Sequence, residues 1–172
     1  MTLHSAERNL RPDGSPKIDV NMDDLESLHQ QVSEAIGDDA ANFVVAYRQG
    51  GPFDGTGEGK PARSITLDFR QPGRVSLSTI LDLVGTRTRV VLPGEAKATV
   101  IDAAFPDDPI AMAVYLPEIM DHLSVNPDTM IPGRININQA SRTVLSAIPD
   151  LSVEAVDQII STRDLEVGPE RE

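Results

Sequence analysis

Paired carboxylates and isolated histidines are the residues of this chain whose chemistry could support catalysis. Asp23-Asp24 and Asp107-Asp108 each precede an apolar run that favours a helix. A carboxylate there caps the free backbone N–H groups and meets the positive end of the helix dipole, so capping explains both pairs. Metal-protease spacing and nucleophile motifs are missing from the sequence, so we expect no enzyme. The histidines lie in unrelated segments, at His4, His29 and His122.

A glycine-rich segment offers oxygen ligands of the type that calcium prefers. Asp54, Thr56 and Glu58 alternate with Gly55 and Gly57, which partly resembles a calcium-binding loop. The rest of that loop pattern, including its closing bidentate glutamate, is missing. A flexible surface loop is the simpler interpretation. We therefore expect no cofactor, and we keep Asp54, Thr56 and Glu58 as candidate calcium ligands.

Net charge limits the partners of this chain. Its 172 residues include 27 Asp and Glu against 15 Lys and Arg, a formal net charge of −12. Such a surface repels nucleic acid and anionic lipid at long range. Hydrophobic residues make up 40%, which is typical of a soluble globular protein, and the longest apolar runs are too short to span a bilayer. Cysteine is absent, which excludes disulfides and thiol chemistry.

One pattern occurs twice: an extended arm, two short helices and a closing arginine. Apolar residues three or four apart predict the helices. The arms align as Lys17–Asn21 with Arg134–Asn138, and the second helices align as Ala40–Arg48 with Ala155–Arg163. Both halves recur in the same order, which indicates a repeated unit. Its motif residues are Asp19, Asn21 and Arg48 in the first copy and Asn136, Asn138 and Arg163 in the second.

Helix-capping residues set the predicted boundaries of these helices. Asn21 or Asp23 is expected to cap the first helix, and Gly37 is expected to end it in a left-handed conformation. Asp38 and Ser152 are expected to cap the second helix of each copy. In the later copy, that helix is expected to turn four apolar residues inward, namely Val153, Val156, Ile159 and Ile160.

The segment between the two copies favours β-structure. Alternating apolar residues over 65–69 and 75–77 predict extended chain, Ser78 is expected to cap a short helix, and Pro93-Gly94-Glu95 predicts a hairpin between 86–92 and 96–101. Arg87 and Arg89 then mark a solvated strand face.

Asp108-Pro109 predicts a helix to about Leu123, with a kink or restart at Pro117. The predicted fold class is α+β, with two SAM-like helical-hairpin units flanking a small β-containing segment. The predicted segments are a flexible arm at 1–16, the first helical-hairpin unit at 17–53, a Gly-rich loop at 54–63, the β-containing segment with helices at 64–130, the second helical-hairpin unit at 131–165 and a C-terminal tail at 166–172.

The repeated unit resembles part of a known secretion family. Ile131–Ala140, followed by Val144-Leu145 and Ile148–Ser152, is similar to the second helical unit of the type II secretion minor pseudopilin K family, also called general secretion pathway protein K. Lys17–Asn21 and Tyr47–Phe53 are similar to the arm and exit of its first unit, so the resemblance extends from Lys17 onwards.

This resemblance implies a non-enzymatic assembly subunit at or near the tip of a pseudopilus, with other minor pseudopilins as partners. It places the full-length protein on the periplasmic side of the bacterial inner membrane. Members of the family begin with a prepilin leader and a hydrophobic helix. Neither is present in this sequence, so we expect a soluble excised fragment that would reach the membrane only through that helix.

A helix–hairpin–helix module that binds nucleic acid is the alternative interpretation, and a generic protein-interaction module is a third. Binding to DNA requires free backbone donors and basic residues at the hairpin turns. The two turns are Gly37-Asp38-Asp39 and Pro149–Ser152, and both carry carboxylates where a phosphate would bind. We therefore expect a partner that is a protein rather than nucleic acid.

Overall fold

The computed structural model describes residues 6–133, 137 and 140–166. The chain divides into two compact units, a larger one of Asn9–Thr129 and a smaller one that combines Met1–Arg8 with Met130–Glu172. Helices and short strands both occur, so the fold class is α+β, as predicted. In chain order the elements are β1 (Ala6–Arg8), β2 (Ile18–Asp19), α1 (Leu25–Ile36), α2 (Asp38–Gly50), β3 (Thr88–Val91), β4 (Ala98–Ile101), α3 (Pro109–His122), β5 (Leu123–Ser124), β6 (Met130–Pro132), α4 (Arg142–Leu145) and α5 (Val153–Glu166).

The first helical hairpin, α1 and α2, belongs to the larger unit. Asp24 caps α1, because its carboxylate accepts a hydrogen bond from the Ser27 N–H at 3.0 Å. Gly37 ends α1 with a φ of +99°, a conformation that residues with a Cβ rarely adopt. The prediction that glycine terminates this helix is therefore confirmed.

Helix α2 lies at the centre of the core of the larger unit. Its side chains are buried almost without interruption from Ala40 to Gln49. It packs against α1, against β3 and against a short 3₁₀ helix at Ala62–Ser64. A helix covered on several sides needs apolar residues around most of its circumference, which its sequence supplies. The largest fully buried side chains of this unit include Ile18, Leu28, Phe43, Leu83, Ile101 and Ile119.

Strands β3 and β4 form the predicted hairpin. They pair antiparallel, with Thr88 opposite Ile101 and Val91 opposite Ala98. The segments at 65–69 and 75–77 are part of no strand, although their alternation predicted extended chain. Alternate residues of these segments are still buried, so the pattern reflects a chain lying on the core rather than a strand in a ladder. The buried residues are Ile65, Leu67 and Leu77.

The short helix of the middle segment is a 3₁₀ helix at Ile80–Leu83. Its cap is Thr79 and not Ser78 as predicted. The Asp82 carboxylate accepts hydrogen bonds from the N–H groups of both Ser78 and Thr79, at 2.7 and 3.1 Å. This reciprocal capping box fixes the helix one residue later than the sequence suggested.

Helix α3 begins where the sequence predicts. The Asp108 carboxylate accepts hydrogen bonds from the N–H groups of Ile110 and Ala111 at 3.1 and 2.9 Å. The helix then continues through Pro117 as a single element, so the predicted restart does not occur. Because proline has no N–H, the usual helical bond to the Ala113 carbonyl is missing at this point.

The smaller unit contains the second helical hairpin. Strands β1 and β6 pair antiparallel, with Glu7 opposite Ile131. Ser152 caps α5, as predicted, by accepting a hydrogen bond from the Ala155 N–H at 3.2 Å. Val156 is buried, but Val153 is 65% exposed, so the prediction that it faces inward is wrong. Helix α4, on the other side of the hairpin turn, is a single turn of four residues.

Residues 6–16 differ from the flexible arm predicted at 1–16, whose first five residues lie outside the described part of the chain. Residues 6–8 form β1, and Asn9 is buried. The Asn9 side-chain amide donates hydrogen bonds to three acceptors of the larger unit, which are Ser124 Oγ and the carbonyls of Asn126 and Asp128, at 2.8–2.9 Å. Polar composition suggested a loose segment, whereas a buried amide with enough partners holds this one in place.

Candidate functional site

The closing arginine of the first copy, Arg48, holds the extended arm against the helices. Its side chain enters the core at the end of α2 and is 3% exposed. The guanidinium donates hydrogen bonds to the carbonyl of Val20, to that of Met22 at 3.0 Å and to that of Val75 at 2.7 Å. A planar guanidinium can satisfy several carbonyls at once, which a lysine could not do with the same geometry. Arg48 therefore joins three segments of backbone.

Burial lowers the pKa of Arg48, because desolvation disfavours the charged form. The nearby carboxylates of Asp19 and Asp23 act in the opposite direction. Arginine keeps its charge in proteins despite such shifts. The positive charge of this hairpin is thus committed to backbone carbonyls inside the fold, and it is not available at the surface for a phosphate.

Asp19 and Asn21 position the arm rather than cap α1. The Asp19 carboxylate accepts a hydrogen bond from the Asn21 N–H at 2.9 Å, which turns the chain locally. The Asn21 side chain accepts from the Leu77 N–H at 2.8 Å and donates to the Leu77 carbonyl at 3.0 Å. The prediction that Asn21 or Asp23 caps α1 is therefore wrong. The Asn21 side chain is hydrogen-bonded to Leu77, and Asp24 is the cap.

The closing arginine of the second copy makes corresponding contacts within the smaller unit. Arg163 donates hydrogen bonds to the carbonyl of Ile137 at 3.1 Å and to that of Ala140 at 2.7 Å. In the alignment of the two copies, Ile137 corresponds to Val20, whose carbonyl accepts from Arg48. The two other motif residues of this copy, Asn136 and Asn138, lie outside the described residues.

The repeated unit thus has a shared internal contact, in which the closing arginine reaches back to the arm. We call this contact the arginine clamp, made by Arg48 in the first copy and Arg163 in the second. It differs between copies in burial, since Arg48 is buried and Arg163 is only partly so. The clamp is a structural contact, and its chemistry is that of a charged donor shared between carbonyls.

The candidate calcium ligands lie in a loop that an arginine already holds. Asp54, Thr56 and Glu58 are exposed. Between them, the carbonyls of Gly55 and Gly57 accept hydrogen bonds from the Arg87 guanidinium, at 3.3 and 2.6 Å. The same guanidinium forms an ion pair with Asp102 at 3.1 Å.

The Arg87 guanidinium thus places a positive charge beside the Gly55 and Gly57 carbonyls of this loop. Within the described residues there is no group of three or more histidine, aspartate or glutamate side chains placed to bind a metal ion. The prediction of a solvated strand face is confirmed for Arg89, which is exposed on β3, whereas Arg87 precedes β3 and is half-buried. Arg87 is held as described, and the Arg89 guanidinium lies over the Phe53 ring, 5.7 Å from its centroid.

Both hairpin turns carry negative charge. Asp38 and Asp39 are exposed at the start of α2. Asp38 caps no backbone N–H, contrary to the prediction, and its carboxylate accepts a hydrogen bond from the Ser33 hydroxyl instead. In the second turn Asp150 has a φ of +63°, and Glu154 lies in the first turn of α5. A phosphate at either helix N-terminus would approach carboxylates.

The candidate catalytic residues have structural contacts. Asp24 and Asp108 cap α1 and α3, as their position before each helix predicts. The His29 ring nitrogen is hydrogen-bonded to the Asn42 side chain at 2.9 Å, and the ring packs edge-on against Phe69. His122 lies in the last turn of α3, and His4 lies outside the described residues.

Helix α3 carries an exposed apolar surface that sequence reasoning did not assign to a function. Of its residues, only Ile119 is buried. Ile110 is 81% exposed and Val114 is 76% exposed, and Met120 is also exposed. The signal was present in the sequence, since the run Ile110–Leu116 contains no charged residue over the first half of α3.

Beside these residues an open groove runs along α3, lined by Pro109, Met112, Ala113, Leu116, Pro117 and Met120. An exposed apolar surface of this kind is typical of an interaction site.

The length and polarity of the helices were also compared with what a membrane span requires. Within the described part of the chain, each helix is too short or too polar to cross a bilayer. Comparison of the chain with protein-family models, with curated proteins and with solved structures finds no match.

Proposed function

We propose that this chain is a non-enzymatic assembly subunit of a type II secretion pseudopilus, and that it acts at or near the tip on the periplasmic side of the bacterial inner membrane. Its partners are the other minor pseudopilins. The proposal starts from the resemblance of the two arm-and-hairpin units to the minor pseudopilin K family. The observation that carries it furthest is the arginine clamp, made by Arg48 and Arg163 in corresponding places.

The clamps support an assembly role because both copies of the unit use their closing arginine to stiffen the hairpin. Each guanidinium is directed at backbone carbonyls of its own unit, so the hairpins are stiffened rather than prepared for a ligand. A bulky, rigid head can end a filament because it leaves no room for another subunit above it. The exposed apolar surface of α3 adds an area through which a protein partner can bind.

Electrostatics favours this role over nucleic-acid binding. The net charge is −12, both hairpin turns are acidic, and the buried Arg48 cannot reach a phosphate. Affinity for DNA comes largely from cationic side chains that displace counterions. We therefore expect no shift of labelled duplex DNA in a mobility-shift titration at about 150 mM salt. A specific shift at that salt concentration would favour the helix–hairpin–helix alternative.

Loss of the gene in its own bacterium tests the assembly role. Deletion is expected to leave proteins that are normally secreted inside the periplasm, while their synthesis continues. A plasmid copy of the gene should restore secretion, which serves as the control for effects on neighbouring genes. Normal secretion by the deletion strain would overturn the proposed function.

A further inference from the structure

The groove on α3 has the shape that a second helix requires. Two rows of residues spaced four apart run along the helix surface. Rows of this spacing form the ridges and grooves through which helices pack against each other. The groove extends over about 16 Å of helix, at 1.5 Å of rise per residue. One row is Pro109, Ala113 and Pro117, and the other is Met112, Leu116 and Met120.

The side chains of the groove suit an apolar ridge. Met112 and Met120 are unbranched and polarisable, so they adapt to the shape of an incoming side chain. Ala113 is small and exposed, which allows close approach of a second backbone. Because Pro117 lacks an N–H, the Ala113 carbonyl has a free acceptor position that a donor of the partner can use.

Helix α3 and the residues directly before it carry more negative than positive charge. Asp107 and Asp108 precede the helix, and Glu118 and Asp121 are exposed on it. Helix α3 contains no lysine or arginine between Pro109 and His122. A single ammonium reaches its far end, where Lys17 donates a hydrogen bond to the Met120 carbonyl. Four carboxylates therefore lie on or directly before α3, against the one ammonium of Lys17.

This charge distribution discriminates between the possible occupants. A second copy of the chain would bring the same carboxylates of α3 and a further net charge of −12. A membrane would present anionic headgroups to the carboxylates. A helix with an apolar stripe flanked by lysine and arginine is complementary in both shape and charge. We infer that the groove of α3 binds a basic amphipathic helix of a partner protein.

This inference rests on the proposed assembly role for its biological meaning. It adds to that role the chemistry of one surface of a partner. The probe is a labelled amphipathic peptide of leucine and lysine, about 14 residues long. The comparison probe has the same apolar pattern with glutamate in place of lysine. Fluorescence anisotropy with the purified chain is expected to show binding of the lysine peptide, with the glutamate peptide at least about tenfold weaker.

Ala113→Lys is the diagnostic variant, because it fills the groove from an exposed position on α3 and leaves the core unchanged. It is expected to weaken binding of the lysine peptide by about tenfold or more. Val91→Lys is the matched control, since it places the same charge on another exposed apolar residue, in β3, and should leave affinity nearly unchanged. Circular dichroism verifies that both variants are folded.

Several results would overturn the inference. One is the absence of binding to the lysine peptide, and another is equal weakening by Ala113→Lys and Val91→Lys, which would reflect net charge alone. A concentration-dependent dimer that Ala113→Lys abolishes would assign the groove to a second copy. Binding to vesicles containing phosphatidylglycerol that the same variant abolishes would assign it to a membrane.

The peptide measurement and the secretion measurement can fail separately. Groove-specific peptide binding with normal secretion in the deletion strain would keep the binding surface and reject the pseudopilus role. Loss of secretion in that strain without peptide binding would keep the role and reject this surface.

Discussion

At the scale of single residues, two arginines account for much of the local order. Arg48 connects the arm and the segment around Val75 to α2, and Arg87 connects the glycine-rich loop to Asp102. Both act through several carbonyls at once, which is a property of the guanidinium group. Their contributions should therefore be measurable in single variants.

Replacing Arg48 by methionine should cost about 3 kcal/mol of unfolding free energy, because buried carbonyls lose a charged donor while the stem of the side chain is retained. Arg163→Met is the matched variant in the second copy. It should cost only about 1 kcal/mol, since this side chain is partly exposed and water can replace its hydrogen bonds. Urea denaturation followed by circular dichroism measures both, and equal losses would show that burial does not control the clamp.

Removing the Arg87 side chain should release the loop that carries Asp54, Thr56 and Glu58. In Arg87→Ala the carbonyls of Gly55 and Gly57 lose their donor, so amide hydrogen exchange over 54–59 should become faster. Arg89→Ala is the control, because its guanidinium contacts the Phe53 ring rather than the loop carbonyls. Unchanged exchange in Arg87→Ala would mean that the loop is held by other contacts.

At the scale of elements, helix starts depend on single carboxylates. The Asp108 carboxylate accepts the capping hydrogen bonds of α3, whereas its neighbour Asp107 is not the cap of this helix. Asp108→Ala should lower the unfolding free energy by about 1 kcal/mol, and Asp107→Ala should change it by less than about 0.5 kcal/mol. Thermal unfolding of the two variants checks this difference. A larger loss from Asp107→Ala would contradict the assignment of the cap.

Some elements were predictable because local residues decide them. The spacing of Leu25, Leu28 and Val32 predicts α1, and Pro93-Gly94-Glu95 predicts the β3–β4 hairpin. Both follow from neighbours in sequence.

The cap of α1 was not predictable, since Asn21, Asp23 and Asp24 are chemically similar and only the backbone conformation selects Asp24. The contact of Asn21 with Leu77, 56 residues away, has no local signal at all.

Contacts between residues far apart in sequence also limit the prediction of the candidate sites. Oxygen ligands at Asp54, Thr56 and Glu58 suggest calcium, and that stays a prediction. The hydrogen bond of the neighbouring Gly57 carbonyl to Arg87, 30 residues later, has no local signal in the sequence. The exposed surface of α3 could have been suspected from its uncharged run alone. Its role as a groove depends on which side of α3 the rest of the larger unit covers, and that is a property of the fold.

At the scale of the whole molecule, the net charge and the repeated unit both favour a protein partner over nucleic acid. The chain carries −12 in total, and its two copies of the arm-and-hairpin unit occur in different compact units. Each copy directs its closing arginine at backbone carbonyls of its own unit. A protein built in this way offers acidic and apolar surface to a partner.

The most direct measurement is identification of the partner in the cell. A photo-activatable amino acid replaces Val114, which is exposed on α3, in the full-length product of the native gene. Irradiation of living cells should yield an adduct with another minor pseudopilin, and the same replacement at Val91, on β3, should serve as the comparison site. Adducts with nucleic acid, or none with any pseudopilin from either site, would contradict the account.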